Sequence, residues 1–334
     1  MRALITGFSG QDGQFLSRLL LDKGYEVDGL VRKTIGRTKK TLYRNDNEAV
    51  NLVYGNIISQ EDMERIFEKK YDEVYHLASQ SDVGYSFIHP YETYRTNFIG
   101  TFNVFKQAFK KNPDVKIYFA GTSEMYGNPL TKPQNEVYPF NPVSPYAISK
   151  LGGFHMGKMY RKQGYFVANG ILYNHESRLR GKNFVTQKIV HGIVDYLDRG
   201  KPFEIGNIYA KKDWGYAEDY VYGMYLMLQQ DMPDDFVLAT GEQHTVKDIF
   251  ETILKYLHIH YEINNEGIFN EDNGEPIAII SPKYFRPLEA QNYCGDYSKA
   301  KTILKWKPEV KFKELIIHKM LLPVLTSSNI HEYL

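Results

Sequence analysis

The feature that most constrains the fold is a regular alternation of apolar strands and amphipathic helices through the first half of the chain. Residues 2–6 form a short apolar run, a glycine-rich turn follows, and residues 12–23 repeat apolar side chains at helical spacing. The alternation continues with predicted strands at 25–31, 51–54, 72–77, 115–120 and 166–172 and predicted helices at about 60–69, 92–110 and 145–162. Because parallel strands need long crossovers that pack back onto the sheet, this order predicts an α/β fold with a Rossmann-type, doubly wound parallel sheet.

The alternation breaks after about residue 173. A strand at 236–239 is predicted to rejoin the sheet, helices are predicted at 247–257 and 312–322, and the polar stretch 264–287 shows no clear pattern. A chain of 334 residues is long enough for two domains. We therefore predict a Rossmann domain of residues 1–173 with a returning segment at about 213–240. The remaining residues, 174–212 and 241–334, are predicted to form a smaller α/β substrate-binding lobe.

The composition argues against several classes of binding partner. The formal net charge is +1, from 41 basic and 40 acidic side chains, so no overall field favours nucleic acid or an anionic membrane. No apolar run approaches the roughly 20 residues of a membrane span, and because an apolar strand follows Met1 directly we expect no leader peptide. Cys294 is the only cysteine, which excludes an intrachain disulfide. We expect a cytoplasmic protein that binds neither nucleic acid nor membrane and has no metal site.

The turn after the first strand has the spacing of a dinucleotide-binding motif. It reads Gly7, Phe8, Ser9, Gly10, Gln11, Asp12, Gly13, which is G-x-x-G-x-x-G between a strand and a helix. Glycines at these positions let the backbone turn tightly and approach a pyrophosphate, while the helix N-terminus supplies amide donors. The alternative is a plain tight turn, but its place at the first strand of an alternating sheet favours a cofactor site.

The end of the second strand indicates which dinucleotide is bound. An acidic residue there would hydrogen-bond a free ribose 2′-hydroxyl, but the chain has Arg32 and Lys33, followed by Arg37. A guanidinium forms bidentate bonds to phosphate, so Arg32 is the candidate partner of a 2′-phosphate and the predicted cofactor is NADP. The alternative is that 32–40 is only a solvated basic loop.

Two pairs of side chains point to acid–base chemistry. Tyr146 and Lys150 are four apart on a predicted helix, which places the ammonium near the phenol. Lowering a tyrosine pKa from about 10 to neutral takes roughly 4 kcal/mol. One positive charge at about 4 Å supplies a similar amount, so Lys150, helped by an oxidised nicotinamide, is sufficient in principle. Thr122 and Glu124 follow the fifth strand, and an extended backbone would point both to one face at the carboxyl end of the sheet. An exposed glutamate in a loop is the alternative.

These motifs together resemble the extended short-chain dehydrogenases that act on sugar nucleotides, and more narrowly the GDP-mannose 4,6-dehydratase family. The likeness covers nearly the whole chain. Besides the glycine turn, the Tyr146/Lys150 pair and the triplet Thr122-Ser123-Glu124, it is carried by the segments 77–81 (LASQS), 169–177 (NGILYNHES), 184–186 (FVT), 213–215 (DWG), 239–242 (ATGE), 286–289 (RPLE) and 306–308 (WKP).

The resemblance implies a reaction in three stages on GDP-mannose, which yields GDP-4-keto-6-deoxymannose. Tyr146 takes the proton of the sugar 4-hydroxyl as hydride leaves carbon 4 for NADP, while Thr122 binds the same oxygen and Lys150 holds the cofactor ribose. Glu124 then removes the proton from carbon 5 and assists loss of the 6-hydroxyl, after which hydride returns to carbon 6. Related 4-epimerases and 4-reductases have no use for a base at carbon 5, so Glu124 favours the dehydratase.

The resemblance also assigns binding residues by position. The family's cofactor contacts fall on Phe8, Ser9, Gly10, Gln11, Asp12, Asn56, Ile57, Leu77, Ala78, Ser79, Gln80, Ser81, Lys150, His175 and Arg180. The substrate-binding positions are Ser81, Thr122, Ser123, Glu124, Tyr146, Asn174, Val185, Lys188, Lys212, Arg286 and Glu289. Some of these residues could instead have purely structural roles. Leu77, Ala78 and His175 could pack in the core, and Arg286 could form a surface ion pair.

Four positions depart from the family pattern. Asn56 replaces an aspartate, Gly121 a serine, Gln187 an arginine, and Lys212 the usual arginine before Asp213. Loss of bidentate arginine geometry leaves the sugar open to a close relative, such as a GDP-manno-heptose. The same fold also serves NADP-dependent GDP-sugar 4-epimerases, 4-reductases and dinucleotide-sensing regulators, so these functions stay open at the level of the sequence. The resemblance also implies a homotetramer or homodimer, because these assemblies are usual in the family. The basic loop after the second strand, residues 32–44 here, often reaches a neighbouring subunit in the family.

Overall fold

The computed structural model describes residues 1–32, 49–285 and 293–327. In chain order its strands are β1 (Arg2–Thr6), β2 (Glu26–Val31), β3 (Asn51–Tyr54), β4 (Glu73–His76), β5 (Lys116–Ala120), β6 (Val167–Leu172), β7 (Asn174–Glu176), β8 (Phe203–Ile205), β9 (Lys211–Lys212), β10 (Trp214–Tyr216), β11 (Asp235–Leu238), β12 (His244–Thr245), β13 (Tyr261–Ile263), β14 (Gly267–Asn270) and β15 (Pro276–Ile280).

The α-helices are α1 (Gln11–Asp22), α2 (Gln60–Ile66), α3 (Val83–Ile88), α4 (Pro90–Tyr94), α5 (Gly100–Lys111), α6 (Pro145–Lys162), α7 (Val185–Arg199), α8 (Ala217–Leu228), α9 (Val246–Tyr256), α10 (Phe312–Glu314) and α11 (Leu322–Leu325). Segments of π-helix span Arg95–Ile99, Ala300–Leu304 and Leu315–Leu321, and short 3₁₀ helices span Ser123–Tyr126 and Pro282–Tyr284.

A seven-stranded parallel sheet forms the centre of the molecule. Its strand order is β3-β2-β1-β4-β5-β6-β11, and every neighbouring pair is parallel. The predicted Rossmann-type sheet is therefore confirmed, including the late strand β11 that rejoins it beside β6. The order reverses between β1 and β4, and ligands of such sheets bind at the carboxyl ends of the strands beside that reversal.

Local sequence explains why α6 begins where it does. The Ser144 side chain accepts a hydrogen bond from the backbone nitrogen of Ala147 at 3.1 Å, and Pro145 occupies the first turn. Arg161 and Lys162 lie in the last turn, where positive charge favours the helix dipole. The predicted helix 145–162 has the same bounds, and the cap places Tyr146 in its first turn.

Several regions differ from the prediction. The helices α7 and α8 were not predicted, and the helix expected at 312–322 consists of α10, the π-helical segment Leu315–Leu321 and α11. The single helix expected at 92–110 is divided into α4, the π-helical turn Arg95–Ile99 and α5. The unassigned stretch 264–287 contains β14 and β15, which form a small sheet with β13 and β8. Strand β15 pairs in parallel with β8, which is distant in sequence. Pairings of this kind depend on contacts that no local sequence pattern reveals.

The buried apolar residues form two cores. The first surrounds the central sheet and includes α8 and Trp306, whereas the second collects α7, α9, β14 and the Leu315–Leu321 segment. The proposed division into a Rossmann domain and a substrate lobe stays a prediction. Within the described residues, no helix combines the length and apolar character needed to cross a membrane.

Candidate active site

Three glycines shape the turn between β1 and α1 at the carboxyl end of the sheet. Gly7 has a φ of +75°, and a Cβ atom added there would lie 2.7 Å from the backbone nitrogen of Ala78. A Cβ at Gly13 would lie 2.5 Å from the carbonyl oxygen of Phe8, whereas one at Gly10 would meet only the Gly7 carbonyl, at 3.3 Å. Helix α1 starts after Gly10 without a side-chain cap. The turn therefore has the shape and the amide donors that suit the pyrophosphate of a dinucleotide.

The other residues of this turn differ in what they can offer a ligand. Ser9 and Gly10 are exposed. Phe8 is fully buried, and its ring lies directly beneath Gly29 of β2. The expected contact between Phe8 and a cofactor can therefore involve only its backbone atoms.

A buried polar network joins α1 to β7. Asp12 Oδ2 lies 3.0 Å from His175 Nε2, and His175 Nδ1 donates to the Tyr173 carbonyl oxygen at 2.7 Å. The Gln11 side chain donates to the His175 carbonyl at 3.0 Å and accepts from the Ser177 hydroxyl at 2.7 Å. Burial lowers the pKa of His175, but Asp12 raises it by more, so the net shift is upward. The network favours an imidazolium beside the glycine turn.

Arg180 lies at the edge of this network. Its guanidinium sits 3.8 Å from the centroid of the Phe184 ring, and its Nε lies 3.4 Å from Glu176 Oε2. Its positive charge acts on both Asp12 and Tyr146. Arg180 is thus close enough to influence the glycine turn and the candidate catalytic tyrosine together.

The loop 77–81 after β4 is held in place by Asn97, which lies in the Arg95–Ile99 turn. Asn97 Oδ1 accepts from Ser79 Oγ at 3.0 Å and from the Gln80 nitrogen at 2.8 Å. Its Nδ2 donates to the Gln80 carbonyl at 2.9 Å and to Ser149 Oγ on α6 at 3.0 Å. Leu77 to Gln80 are partly buried and Ser81 is exposed. Asn97 therefore couples a predicted cofactor-binding loop to the helix that carries the Tyr/Lys pair.

The predicted contacts beside β2 and β3 are placed at the same edge. Arg32 is exposed directly after β2, while the rest of the basic segment, with Arg37, lies outside the described residues. Asn56 is partly exposed after β3, and its Oδ1 accepts from the Ile58 nitrogen at 3.3 Å. Ile57 is buried against Gly100, so its side chain belongs to the core.

Tyr146 and Lys150 are buried together on α6, but burial dominates the pKa of each. It raises the pKa of Tyr146 to about 12, an increase that the Thr122 hydroxyl partly opposes by hydrogen bonding. It lowers the pKa of Lys150 to about 7. Lys150 Nζ donates to the Ala120 carbonyl at 2.8 Å. The expectation that Lys150 brings Tyr146 toward neutral pH is therefore not met by the protein alone, because both charged forms lose hydration in the same buried place.

The backbone conformation of residues 122–124, which lie near Tyr146, differs from the prediction. Only Thr122 is extended, because a 3₁₀ helix begins at Ser123, and the Thr122 hydroxyl accepts from the Glu124 nitrogen at 3.2 Å. The Thr122 hydroxyl lowers the pKa of the Tyr146 phenol, and the Glu124 charge raises it. The turn thus brings the hydroxyl and the carboxylate toward Tyr146, whereas Ser123 is buried.

The predicted substrate-binding residues fall on several elements. Lys188 Nζ lies 3.3 Å from the centroid of the Tyr284 ring. Lys212 Nζ lies 3.6 Å from Glu124 Oε1. Asn174 and Val185 are partly buried at the starts of β7 and α7. The two remaining candidates lie outside the described residues, namely Arg286 and Glu289.

Sequence reasoning missed several residues that organise this site. His76 at the end of β4 bonds Thr6 at 2.8 Å and Thr101 at 2.9 Å. Burial lowers the pKa of His76 to about 3, with Lys150 adding to the effect, so this histidine is neutral. Asn97 and Tyr293, whose ring centroid lies 4.2 Å from Lys212 Nζ, were likewise not singled out. Their positions carry no local pattern, and only the tertiary contacts reveal their roles.

Two solved structures of sugar-nucleotide enzymes have the same architecture as this chain. DesIV, a dTDP-glucose 4,6-dehydratase from Streptomyces venezuelae solved with NAD and TYD, matches with a TM-score of 0.82 at 21% identity over 98% of each chain. UDP-glucose 4-epimerase of Thermotoga maritima, solved with UDP-glucose, also matches with a TM-score of 0.82, at 23% identity over 98% of this chain and 100% of that one. These two likenesses show that this chain has the same fold, a Rossmann-type parallel sheet with a smaller second core.

Sequence relatives show the family to which this chain belongs. A sequence model described as GDP-mannose 4,6 dehydratase matches residues 4–320. The GDP-mannose 4,6 dehydratase of Homo sapiens is 42% identical over 335 residues, covering 94% of this chain and 89% of the human protein. That of Drosophila melanogaster is 40% identical over 336 residues, covering 95% and 85%. The chain belongs to the GDP-mannose 4,6-dehydratase family, and the predicted dehydratase function is confirmed.

Proposed function

We propose that this chain converts GDP-mannose to GDP-4-keto-6-deoxymannose with NADP as a bound cofactor. The observation that carries the mechanism is the arrangement of Thr122, Glu124 and Tyr146. Thr122 caps the short 3₁₀ helix that carries Glu124, and the hydroxyl and the carboxylate both act on the pKa of the buried Tyr146 phenol. Oxidation at carbon 4 needs only the phenol and the hydroxyl, whereas elimination across carbons 5 and 6 also needs a base, which Glu124 supplies.

The cofactor site is built from the glycine turn, the network of Asp12 and His175, and the loop 77–81. The N-terminus of α1 would bind the pyrophosphate, and Arg32 at the end of β2 would bind the 2′-phosphate that distinguishes NADP from NAD. When bound, NADP supplies a hydride acceptor for carbon 4 and later the hydride for carbon 6. Gly10, where an added Cβ would meet no side chain of the described residues, allows a phosphate to approach the backbone closely.

In the first stage, Tyr146 takes the proton of the sugar 4-hydroxyl. The Thr122 hydroxyl, which lowers the pKa of Tyr146, would bind the same reacting oxygen and hold it beside the phenol. Lys150 in its ammonium form binds the cofactor ribose and favours loss of the tyrosine proton. The product of this stage is a 4-ketone, which makes the hydrogen on carbon 5 acidic.

In the second stage, Glu124 moves one proton from carbon 5 to the 6-hydroxyl. As carboxylate it accepts the carbon 5 proton, and as carboxylic acid it protonates the hydroxyl, which leaves as water. The double bond between carbons 5 and 6 then receives a hydride at carbon 6 and a proton of solvent origin at carbon 5, while Tyr146 releases to solvent the proton that it took from the 4-hydroxyl. The atoms balance as net loss of one water, and NADP is regenerated in each turnover.

The GDP group would lie toward the second core. Lys188 presents an ammonium next to Tyr284, and a point charge of this kind suits a diphosphate. We assign Asn174, Val185, Arg286 and Glu289 to the same end of the substrate, with Ser81 and Ser123 nearer the sugar.

We further propose that the protein is a homodimer, or a homotetramer built from such dimers. The helices α3 to α6 pack side by side and expose a set of large apolar side chains, which we call the helical apolar face. Its members are Phe87, Ile88, Tyr91, Phe98, Ile99, Phe102, Ile148 and Met159. Contiguous apolar surface of this kind is typical of a subunit interface. We also propose a cytoplasmic location, which the unpaired Cys294 supports.

The product formed in deuterated water tests the proposed function. Purified protein with GDP-mannose and a catalytic amount of NADP should yield a 4-keto-6-deoxy sugar nucleotide carrying deuterium at carbon 5, as read by proton NMR and mass. An epimeric or reduced product, or a need for stoichiometric NADPH, would contradict the proposal.

A further inference from the structure

Lys212 lies beside the proposed base of the reaction. Its Nζ is 3.6 Å from Glu124 Oε1, and the exposed fractions of the two side chains are only 12% and 19%. A positive charge beside a partly buried carboxylate offsets part of the hydration that the carboxylate loses. The ammonium of Lys212 supplies that charge from a different part of the chain.

The surroundings of Lys212 direct it toward Glu124. Its Nζ sits 4.2 Å from the centroid of the Tyr293 ring, which supports the ammonium by a cation–π contact. Its strand β9 pairs with β12, so the backbone is fixed on that side. The adjacent Asp213 is turned away, since its carboxylate accepts from Thr240 and from the Gly241 nitrogen at 3.0 Å. Among the described residues, Lys212 on β9 and the Tyr146 phenol on α6 are charged or titratable groups that interact with Glu124.

Building on the proposed function, we infer that Lys212 is a positioning residue for the proton transfer from carbon 5 to the 6-hydroxyl. The ammonium holds the Glu124 carboxylate in place as an anion and stays beside it while the proton is carried. This differs from the role expected from the family resemblance, in which position 212 contacts substrate. A lysine already facing a carboxylate at 3.6 Å is partly neutralised, and it offers less charge to a diphosphate than Lys188 does.

The test is a comparison of two rates within the same reaction. Single-turnover experiments with the NADP complex and GDP-mannose follow carbon 4 oxidation by the absorbance of reduced cofactor, and carbon 5 exchange by deuterium uptake. Lys212→Met keeps the stem against Tyr293 and removes the charge. We expect exchange at carbon 5 to fall by about tenfold to a hundredfold, with oxidation at carbon 4 changed by less than about threefold and KM nearly unchanged.

Two further variants make the result specific. Lys212→Arg keeps a positive charge and should recover part of the lost exchange, whereas Lys211→Met, on the exposed neighbour in β9, should behave as wild type. Lys212→Gln serves where the methionine variant does not fold, as judged by circular dichroism. If KM rises while the ratio of exchange to oxidation stays at the wild-type value, Lys212 binds substrate and the inference is wrong.

The wild-type reaction separates the two proposals. A wild-type enzyme that forms no 4-keto-6-deoxy product contradicts the proposed function itself. A wild-type enzyme that forms the product normally, together with a Lys212→Met variant whose carbon 5 exchange is unimpaired, contradicts only the role of Lys212.

Discussion

Lys150 is a buried cation whose charged form is disfavoured in the folded protein. Burial lowers its pKa to about 7, whereas an unfolded lysine titrates near 10.4. Between these two values the unfolded chain binds more protons than the folded chain, so the free energy of unfolding attributable to Lys150 rises with pH. Below about pH 7 both states carry the charge, and the folded state bears the full penalty.

Lys150→Met should remove this pH dependence. In urea unfolding without cofactor, wild type should gain roughly 2–3 kcal/mol relative to the variant between about pH 7 and pH 9.5. The variant should be at least as stable as wild type at pH 7, although it cannot oxidise carbon 4. A stability difference that is independent of pH would show that the ammonium is not desolvated.

Arg32 should determine the choice between the two dinucleotides. Because only NADP carries a 2′-phosphate, Arg32→Ala should weaken NADP binding by about tenfold to a hundredfold and NAD binding by less than about threefold. Fluorescence titration measures both affinities. Arg18→Ala, which removes an exposed arginine on α1, is the matched control and should leave both unchanged. Equal losses for the two cofactors would place Arg32 away from the 2′-phosphate.

Within one element, the β1–α1 turn, we expect Gly13 to be required by the fold and Gly10 to be required for binding the cofactor. A Cβ at Gly13 would lie 2.5 Å from the Phe8 carbonyl oxygen, while one at Gly10 meets only a backbone oxygen at 3.3 Å. Gly13→Ala should therefore lower the free energy of unfolding by about 2–4 kcal/mol. Gly10→Ala should lower it by about 1 kcal/mol or less but weaken NADP binding at least about tenfold.

Thermal unfolding and cofactor titration of the two variants check this pair of expectations. The contradicting result is a Gly10→Ala protein that binds NADP as wild type does, because the backbone at residue 10 would then not approach the phosphate.

Elements governed by local chemistry could be read from the sequence, and those governed by distant pairing could not. The bounds of α6 follow from Ser144, Pro145 and the basic last turn, so the prediction matched them. The strands β14 and β15 exist only because β13 and β8 pair with them. The 3₁₀ helix that begins at Ser123 replaced the expected extended backbone, since the Thr122 hydroxyl caps it.

The same division holds for the site. Tyr146, Lys150, Thr122 and Glu124 could be named from motif spacing alone. The contact of Lys212 with Glu124 could not, because it joins two segments that only the tertiary fold brings together.

For the whole molecule, the helical apolar face predicts subunit association. Tyr91 is 73% exposed and Phe102 is 38% exposed on neighbouring helices. A double variant with Tyr91→Glu and Phe102→Glu should dissociate to monomers, because charged side chains are strongly disfavoured in a dry interface. Light scattering after size exclusion reports the mass. Leu130→Glu, at an 88% exposed position outside this face, is the control and should keep the wild-type mass. If the double variant is still an oligomer, the subunit interface lies on another surface.

The central claim is that Glu124 performs the carbon 5 chemistry beside a separate Tyr146 oxidation step. The most direct measurement is a single turnover of Glu124→Gln, loaded with NADP, on GDP-mannose in deuterated water. We expect reduced cofactor to form at close to the wild-type rate, while deuterium uptake at carbon 5 and loss of water fall by about a hundredfold or more. Dehydration at the wild-type rate in this variant would contradict the account.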